Sequence, residues 1–191
     1  AEEVLRRQNV ATLKNLQTTV DEITETEFID QESAEVSLKL LQEQLNDMEV
    51  GTMNYKDQQQ VYKSTAKDII QNLASNYINQ SINQLVEEAN DIDTARALIP
   101  GLVKEYEKIQ ALANKEIGIN AITKKQVQDY SNILERALID REIVKRVFEG
   151  DPAALIALDT SGLSGTEKIK AEDAIASAIK LATTKQTDNT V

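Results

Sequence analysis

Apolar residues recur at helical spacing along almost the whole chain, and no stretch alternates with the period of two that a strand would need. From about residue 2 to 24, Leu13, Leu16, Val20 and Ile23 are spaced 3-4-3, as in a coiled-coil seam. A polar, acidic turn over 24–32 holds Phe28 and Ile29. Asp30 then suits the cap of a second helix carrying Ala34, Leu38, Leu41, Leu45 and Met48, which Gly51 stops. These two segments read as an antiparallel hairpin. A third helix, starting near Asn54 or Lys56, carries Tyr62, Ala66, Ile69, Leu73, Tyr77, Ile82, Leu85 and Val86 towards Ala89. The Asn/Gln/Ser-rich patch at 76–83 is the place where it would break.

Asp91 or Asp93 caps the next segment, whose stripe is Ala95, Ile99, Leu102, Tyr106, Ile109 and Ala113. Pro100-Gly101 lies inside that stripe and predicts a kink or two short helices, and Gly118 closes the segment. Thr123-Lys124-Lys125-Gln126 is a capping box opening a helix with Val127, Tyr130, Leu134, Leu138 and Val147, stopped by Gly150. Asp151-Pro152 supplies a cap and a first-turn proline for a short helix over 153–158. Ser164-Gly165-Thr166-Glu167 is a second capping box, opening an Ala-rich helix through Ile169, Ile175, Ile179 and Leu181. The expected fold is all-α: an elongated bundle of about seven amphipathic helices in a helical-hairpin or solenoid-like arrangement, with helix above ~65% of residues. The expected divisions are an acidic hairpin at 1–50, a long-helix bundle at 51–150, a short helix plus Ala-rich helix at 151–182 and a disordered tail at 183–191.

Composition narrows the chemistry. The 191 residues contain no His, no Cys and no Trp. This removes the commonest general base, the thiol nucleophile and the usual ligands of zinc, copper and iron. With aromatics at 4%, the core must be aliphatic. The formal charge is -11, which opposes general attraction to nucleic acid or anionic lipid. It is uneven: residues 1–50 hold 4 Lys/Arg against 12 Asp/Glu, a net -8, whereas residues 101–150 hold 9 against 8, a net +1. The longest apolar run, at 153–158, is six residues, far below the ~18–20 of a membrane span. The chain begins at Ala1 with helical spacing already under way, so a segment of a longer protein is expected.

Each pattern that could carry chemistry has a plainer explanation. Asp91-x-Asp93 resembles the start of a calcium loop, but Ala95, Ala97 and Ile99 follow where oxygen ligands would be needed. Gly162-x-x-Gly165-Thr166 lacks the lysine and the strand of a phosphate loop. No residue is nominated as catalytic, cofactor-binding or metal-ligating; the chain is expected not to be an enzyme, and a His-free carboxylate enzyme is a distant third class. Lys124 and Lys125 stand in a first helical turn, where the dipole disfavours cations. Together with Arg141, Lys145 and Arg146 they are the candidate partner surface, with the acidic hairpin of a neighbouring subunit as the expected partner.

Two stretches carry a family resemblance. The first is Asp91-Ile-Asp-Thr-Ala-Arg-Ala-Leu-Ile-Pro-Gly-Leu-Val-Lys-Glu-Tyr-Glu-Lys-Ile with the helix after Thr123. The second runs from Val147-Phe-Glu-Gly-Asp-Pro-Ala-Ala-Leu through Gly162-Leu-Ser-Gly-Thr-Glu-Lys. Over roughly 91–170 the chain resembles the internal virion proteins, the inner-core or DNA-ejection components, of short-tailed bacteriophages. The resemblance implies a long helical protein packed in the capsid and ejected with the genome to build a conduit, hence a virion interior location; otherwise a cytoplasmic one is expected. It implies self-association or protein partners, a homo-oligomer in the native assembly and no catalytic residue. The leading expectation is therefore a non-enzymatic structural or assembly protein without cofactor, specific nucleic-acid binding or transmembrane segment. A helical adaptor or chaperone that binds a partner helix is the alternative.

Overall fold

The computed structural model describes residues 31–46, 55–118 and 120–190, together with 2–4, 7, 10, 11, 14 and 18 nearer the start. All of these early residues are helical. Among the described residues there are helices and turns and no strand. In order they form α1 (Gln31–Asn46), α2 (Tyr55–Asn83), a π-helical turn (Gln84–Glu88), α3 (Ile92–Glu116), α4 (Lys124–Phe148), α5 (Pro152–Ile156) and α6 (Gly165–Thr190). The seam residues Leu13, Leu16, Val20 and Ile23, the turn at 24–30 with its Asp30 cap, and Met48 with the Gly51 stop fall outside the described residues.

The chain folds as two compact units, residues 1–79 with 105–123 and residues 80–104 with 124–191. The units thus interleave in sequence: the block 51–150 is divided between them, while 1–50 falls in the first and 151–182 in the second. Helices pair by the faces they must bury, and contiguity along the chain does not decide which faces match.

In the first unit α1 buries Ala34, Leu38 and Leu41, a 4-3 stripe, and Ser37 beside them returns its hydroxyl to the Ser33 carbonyl at 2.9 Å. In α2 the buried set is Tyr62, Thr65, Ala66, Ile69, Ile70 and Leu73. The second half of α3 contributes Tyr106, Ile109, Leu112 and Ala113. Tyr62 donates its phenol to Glu116, joining α2 to α3. Burial foremost, and then the carboxylate, hold that phenol well above the ordinary tyrosine range. Gly118, at φ +146, ends the path of α3, and Gln110 donates to the Ile122 carbonyl across the loop that follows, at 2.9 Å.

In the second unit α4 is the centre. Tyr130 donates to Ser81 at 2.8 Å, and Arg141 reaches the carbonyls of the π turn, so the end of α2 and that turn run parallel to α4. Arg136 lies 3.8 Å from Glu167, while Phe148 meets Lys185 twelve residues further on; α4 and α6 are therefore parallel too. Ile139 packs with Leu158, Leu163, Ala171 and Ile175, and Leu155 of α5 packs with Ala178 and Ala182.

Local chemistry sets most boundaries. Asp91 caps α3: its Oδ1 accepts from Asp93 N at 3.1 Å, and its Oδ2 from Thr94 N at 3.2 Å and Thr94 Oγ1 at 2.6 Å. Those bonds, the Thr94 hydroxyl first, hold its carboxyl below the usual range. Gly150, at φ +65, closes α4 with a Schellman pair: its N–H reaches Val147 O at 3.0 Å and Asp151 N reaches Arg146 O at 3.1 Å. Asp151 Oδ1 accepts from Ala154 N at 3.0 Å, with Pro152 opening α5. Pro100 lies within α3, which runs unbroken as one element from Ile92 to Glu116.

Two expectations are corrected. Ser164 makes no capping box with Glu167: its hydroxyl faces Asn132 of α4, 3.3 Å from Nδ2, and α6 opens on Gly165 at φ +58. Residues 183–190 are helical. The hydroxyls of Thr183, Thr184 and Thr187 return to carbonyls four residues back at 2.7, 3.1 and 3.0 Å, and Lys185 anchors on the Phe148 carbonyl.

Candidate functional site

Charged groups on α4 divide into a buried network and a solvated set. Glu142 is 3% exposed, so its charge must be matched by its surroundings. Arg141 Nη2 stands 3.3 Å from its Oε1, and Arg146 Nε 3.4 Å from its Oε2. Arg141 also donates through Nη1 to the carbonyls of Leu85 at 3.0 Å and Val86 at 3.3 Å, and to that of Ala89. These carbonyls end the π turn, where no further helical donor follows, because Ala89 is extended at φ -96, ψ 110. Arg146 donates to the Ala154 carbonyl of α5. The network thus ties the π turn, α4 and α5 together.

A second buried carboxylate, Glu135, accepts from Arg96 Nε of α3 at 3.2 Å. Arg96 also donates to the Asp159 carbonyl. Asp159 in turn accepts from Ser161 N at 2.9 Å and Ser161 Oγ at 3.0 Å. Those two bonds lower its carboxyl below the usual range, with Arg96 and Lys168 adding to the effect. Both clusters are satisfied internally, with no carboxyl left free in an apolar pocket as a general acid would be.

The five residues of the candidate partner surface therefore part company. Arg141 and Arg146, with side chains only 16% and 18% exposed, are internal ties and not surface groups. The reason is that helix carbonyls and a buried carboxylate outcompete water for a guanidinium fork. Lys124, Lys125 and Lys145 are exposed. Lys125 pairs with Asp129 one turn on, at 3.5 Å. Lys124 and Lys145 stand about 30 Å apart along the helix, so they make no single patch.

What the surface does display is apolar. Val144 and Phe148, one turn apart on α4, are 70% and 77% exposed, and Leu181 of α6 is 63% exposed. Lys185 Nζ lies 4.3 Å from the centre of the Phe148 ring. Val144 and Leu181 each stand one turn before this contact on their own helices. Val36 and Leu40 make a second exposed pair on α1, on the side opposite Ala34, Leu38 and Leu41. Helical spacing gave no warning of these positions, because the buried stripes use the same residue types. A third face, lined by Glu3, Arg7, Val10, Ala11 and Lys14, borders an open depression of about 430 Å³.

Among the described residues no group of three or more Asp or Glu is placed to hold a metal ion, and no helix is long and apolar enough to cross a membrane. No protein-family model, curated protein or solved structure matches the chain.

Proposed function

We propose that this chain is a non-enzymatic structural or assembly protein that works by packing helix faces against copies of itself or against partner proteins. The observation that carries the reading is the pairing of exposed Val144, Phe148 and Leu181 on one helix pair with internally satisfied charges beneath. A monomer gains nothing from leaving such side chains in water at helical spacing, whereas a partner helix covers them. Within this class, the resemblance of residues 91–170 points to an internal core or ejection component of a short-tailed phage virion. Light scattering on the full chain over a range of concentrations tests the class. Stable self-association, or capture of a defined helical partner, is expected, and a strictly monomeric chain without partner overturns it. Capsid and portal genes flanking the coding sequence would be expected on the phage reading, and their absence would remove it.

A second reading, a helical adaptor, draws on the open depression beside Val10 and Ala11 as the place where a partner helix would seat. A monomer that binds a single amphipathic helix at that groove would favour it.

A further inference from the structure

The two exposed apolar faces differ in the charge around them. The α1 face, Val36 and Leu40, is surrounded by exposed Glu32, Glu35 and Glu43 with one lysine, Lys39. It belongs to the segment 1–50, whose net charge is -8. The α4–α6 face, Val144, Phe148 and Leu181, is bordered by Lys145, Lys180 and Lys185, against Glu149 and Asp188. Asp140, one turn before Val144, is committed to Arg136 at 2.8 Å. The α1 face carries three glutamates to one lysine and the α4–α6 face three lysines to two acids, so each is better matched in charge to the other than to a copy of itself.

We propose that the acidic α1 face of one copy docks on the lysine-rimmed α4–α6 face of a second copy, a head-to-tail contact that leaves one unused face at each end. This rests on the assembly reading above and commits it to a geometry. Heterologous contacts of this kind continue from copy to copy until a ring closes or a filament grows. The apolar side chains involved are few: Val36 and Leu40 on one side, Val144, Phe148 and Leu181 on the other. They fall short of the roughly 800 Å² per partner of a standard interface, so each contact is of the weak, transient kind. Assembly then depends on concentration, and repetition supplies the persistence that one contact lacks.

Two full-length double variants test this by sedimentation velocity. Val36→Glu with Leu40→Glu removes one face, and Val144→Glu with Phe148→Glu removes the other. All four positions are exposed, and helix content of each variant is checked by far-UV circular dichroism. Wild type is expected to grow in mass with concentration, and each variant alone to stay monomeric. An equimolar mixture of the two is expected to form a one-to-one dimer that grows no further. If either variant proves unfolded, the charge swap replaces it: Lys145→Glu with Lys180→Glu should weaken association about tenfold, and Glu32→Lys with Glu35→Lys on the other chain should restore it. Wild type that associates while the mixture stays monomeric overturns the head-to-tail contact and leaves the assembly reading standing. So does a single variant that still assembles like wild type. A wild-type chain that is monomeric throughout and takes no partner removes both.

Discussion

A β-carbon placed on Gly162 would lie 2.6 Å from Cδ of Glu135, the carboxylate that receives Arg96. The turn between α5 and α6 can approach α4 this closely only because position 162 has no side chain. Glu135 is 8% exposed and held by Arg96, so it has little room to yield. Gly162→Ala is therefore expected to cost about 1–3 kcal/mol, the usual range for overpacking a filled site. Urea unfolding measures it. The cost should not add to that of Glu135→Ala, because the second change removes the obstacle; simple additivity would show that the turn relaxes elsewhere.

Arg141 is expected to be far less tolerant than an ordinary surface arginine. Arg141→Met leaves Glu142 with Arg146 alone and strands the Leu85, Val86 and Ala89 carbonyls, at about 3–5 kcal/mol. Arg141→Lys keeps the charge but not the fork, and about 1–3 kcal/mol is expected. A change below ~0.5 kcal/mol in either, by urea midpoint, would mean that the arginine is not the tie described.

Much of this framework was legible in the sequence, and the part that was not has a physical signature. Gly150, Asp151-Pro152 and the Asp91 cap act within a few residues of themselves, so their effect can be read where they stand. The stripe carrying Leu73 and Leu134 follows from a period. Arg141 and Arg146, by contrast, look like cations placed to suit the C-terminal end of their own helix, whereas each serves a carbonyl of another element. Ser164 misled for the same reason: Asn132, thirty-two residues away in sequence, competes for its hydroxyl. The amide-rich patch at 76–83, where α2 could have broken, lies wholly within that helix, and nothing in its composition announces the π turn that follows. Exposed Val144, Phe148 and Leu181 could not be separated from buried aliphatics without knowing which faces pair.

Leu73 is 2% exposed in the first unit and Leu134 0% exposed in the second. Replacing either with Ala is expected to cost about 2–5 kcal/mol, since each removes three buried carbons and leaves a cavity. Equilibrium unfolding checks both, and a loss below ~0.5 kcal/mol would place that side chain outside the core.

Stability should fall on the alkaline side. The Tyr62 phenol is raised by burial, then by its bond to Glu116 and by that group's charge; burial also raises Tyr106. Unfolded tyrosines release their protons near pH ~10, while these two retain theirs in the folded chain. The unfolded state then binds fewer protons, so the contribution present below pH ~10 is lost as pH rises towards the folded values. Urea midpoints taken from about pH 8 to 11 should drop more steeply in wild type than in Tyr62→Phe. Parallel curves would show that Tyr62 is not the group responsible.

The genome-delivery role proposed above would invite the assumption of DNA binding, and the charges oppose it. Affinity for a duplex comes largely from Lys and Arg displacing counterions from phosphates, and here 21 of them are outnumbered by 32 Asp and Glu. Of the six basic residues on α4, Arg141 and Arg146 are spent internally on helix carbonyls and Glu142, and Arg136 is paired with Asp140 and Glu167. That leaves Lys124, Lys125 and Lys145, with Lys125 paired to Asp129 and the two ends about 30 Å apart. A conduit wall also works better when it does not grip the passing strand. No duplex binding is expected at about 150 mM salt by fluorescence anisotropy, and any weak binding at low salt should vanish when the three lysines are neutralised. Micromolar binding at physiological salt that survives their neutralisation would require a basic surface this chain does not display among its described residues.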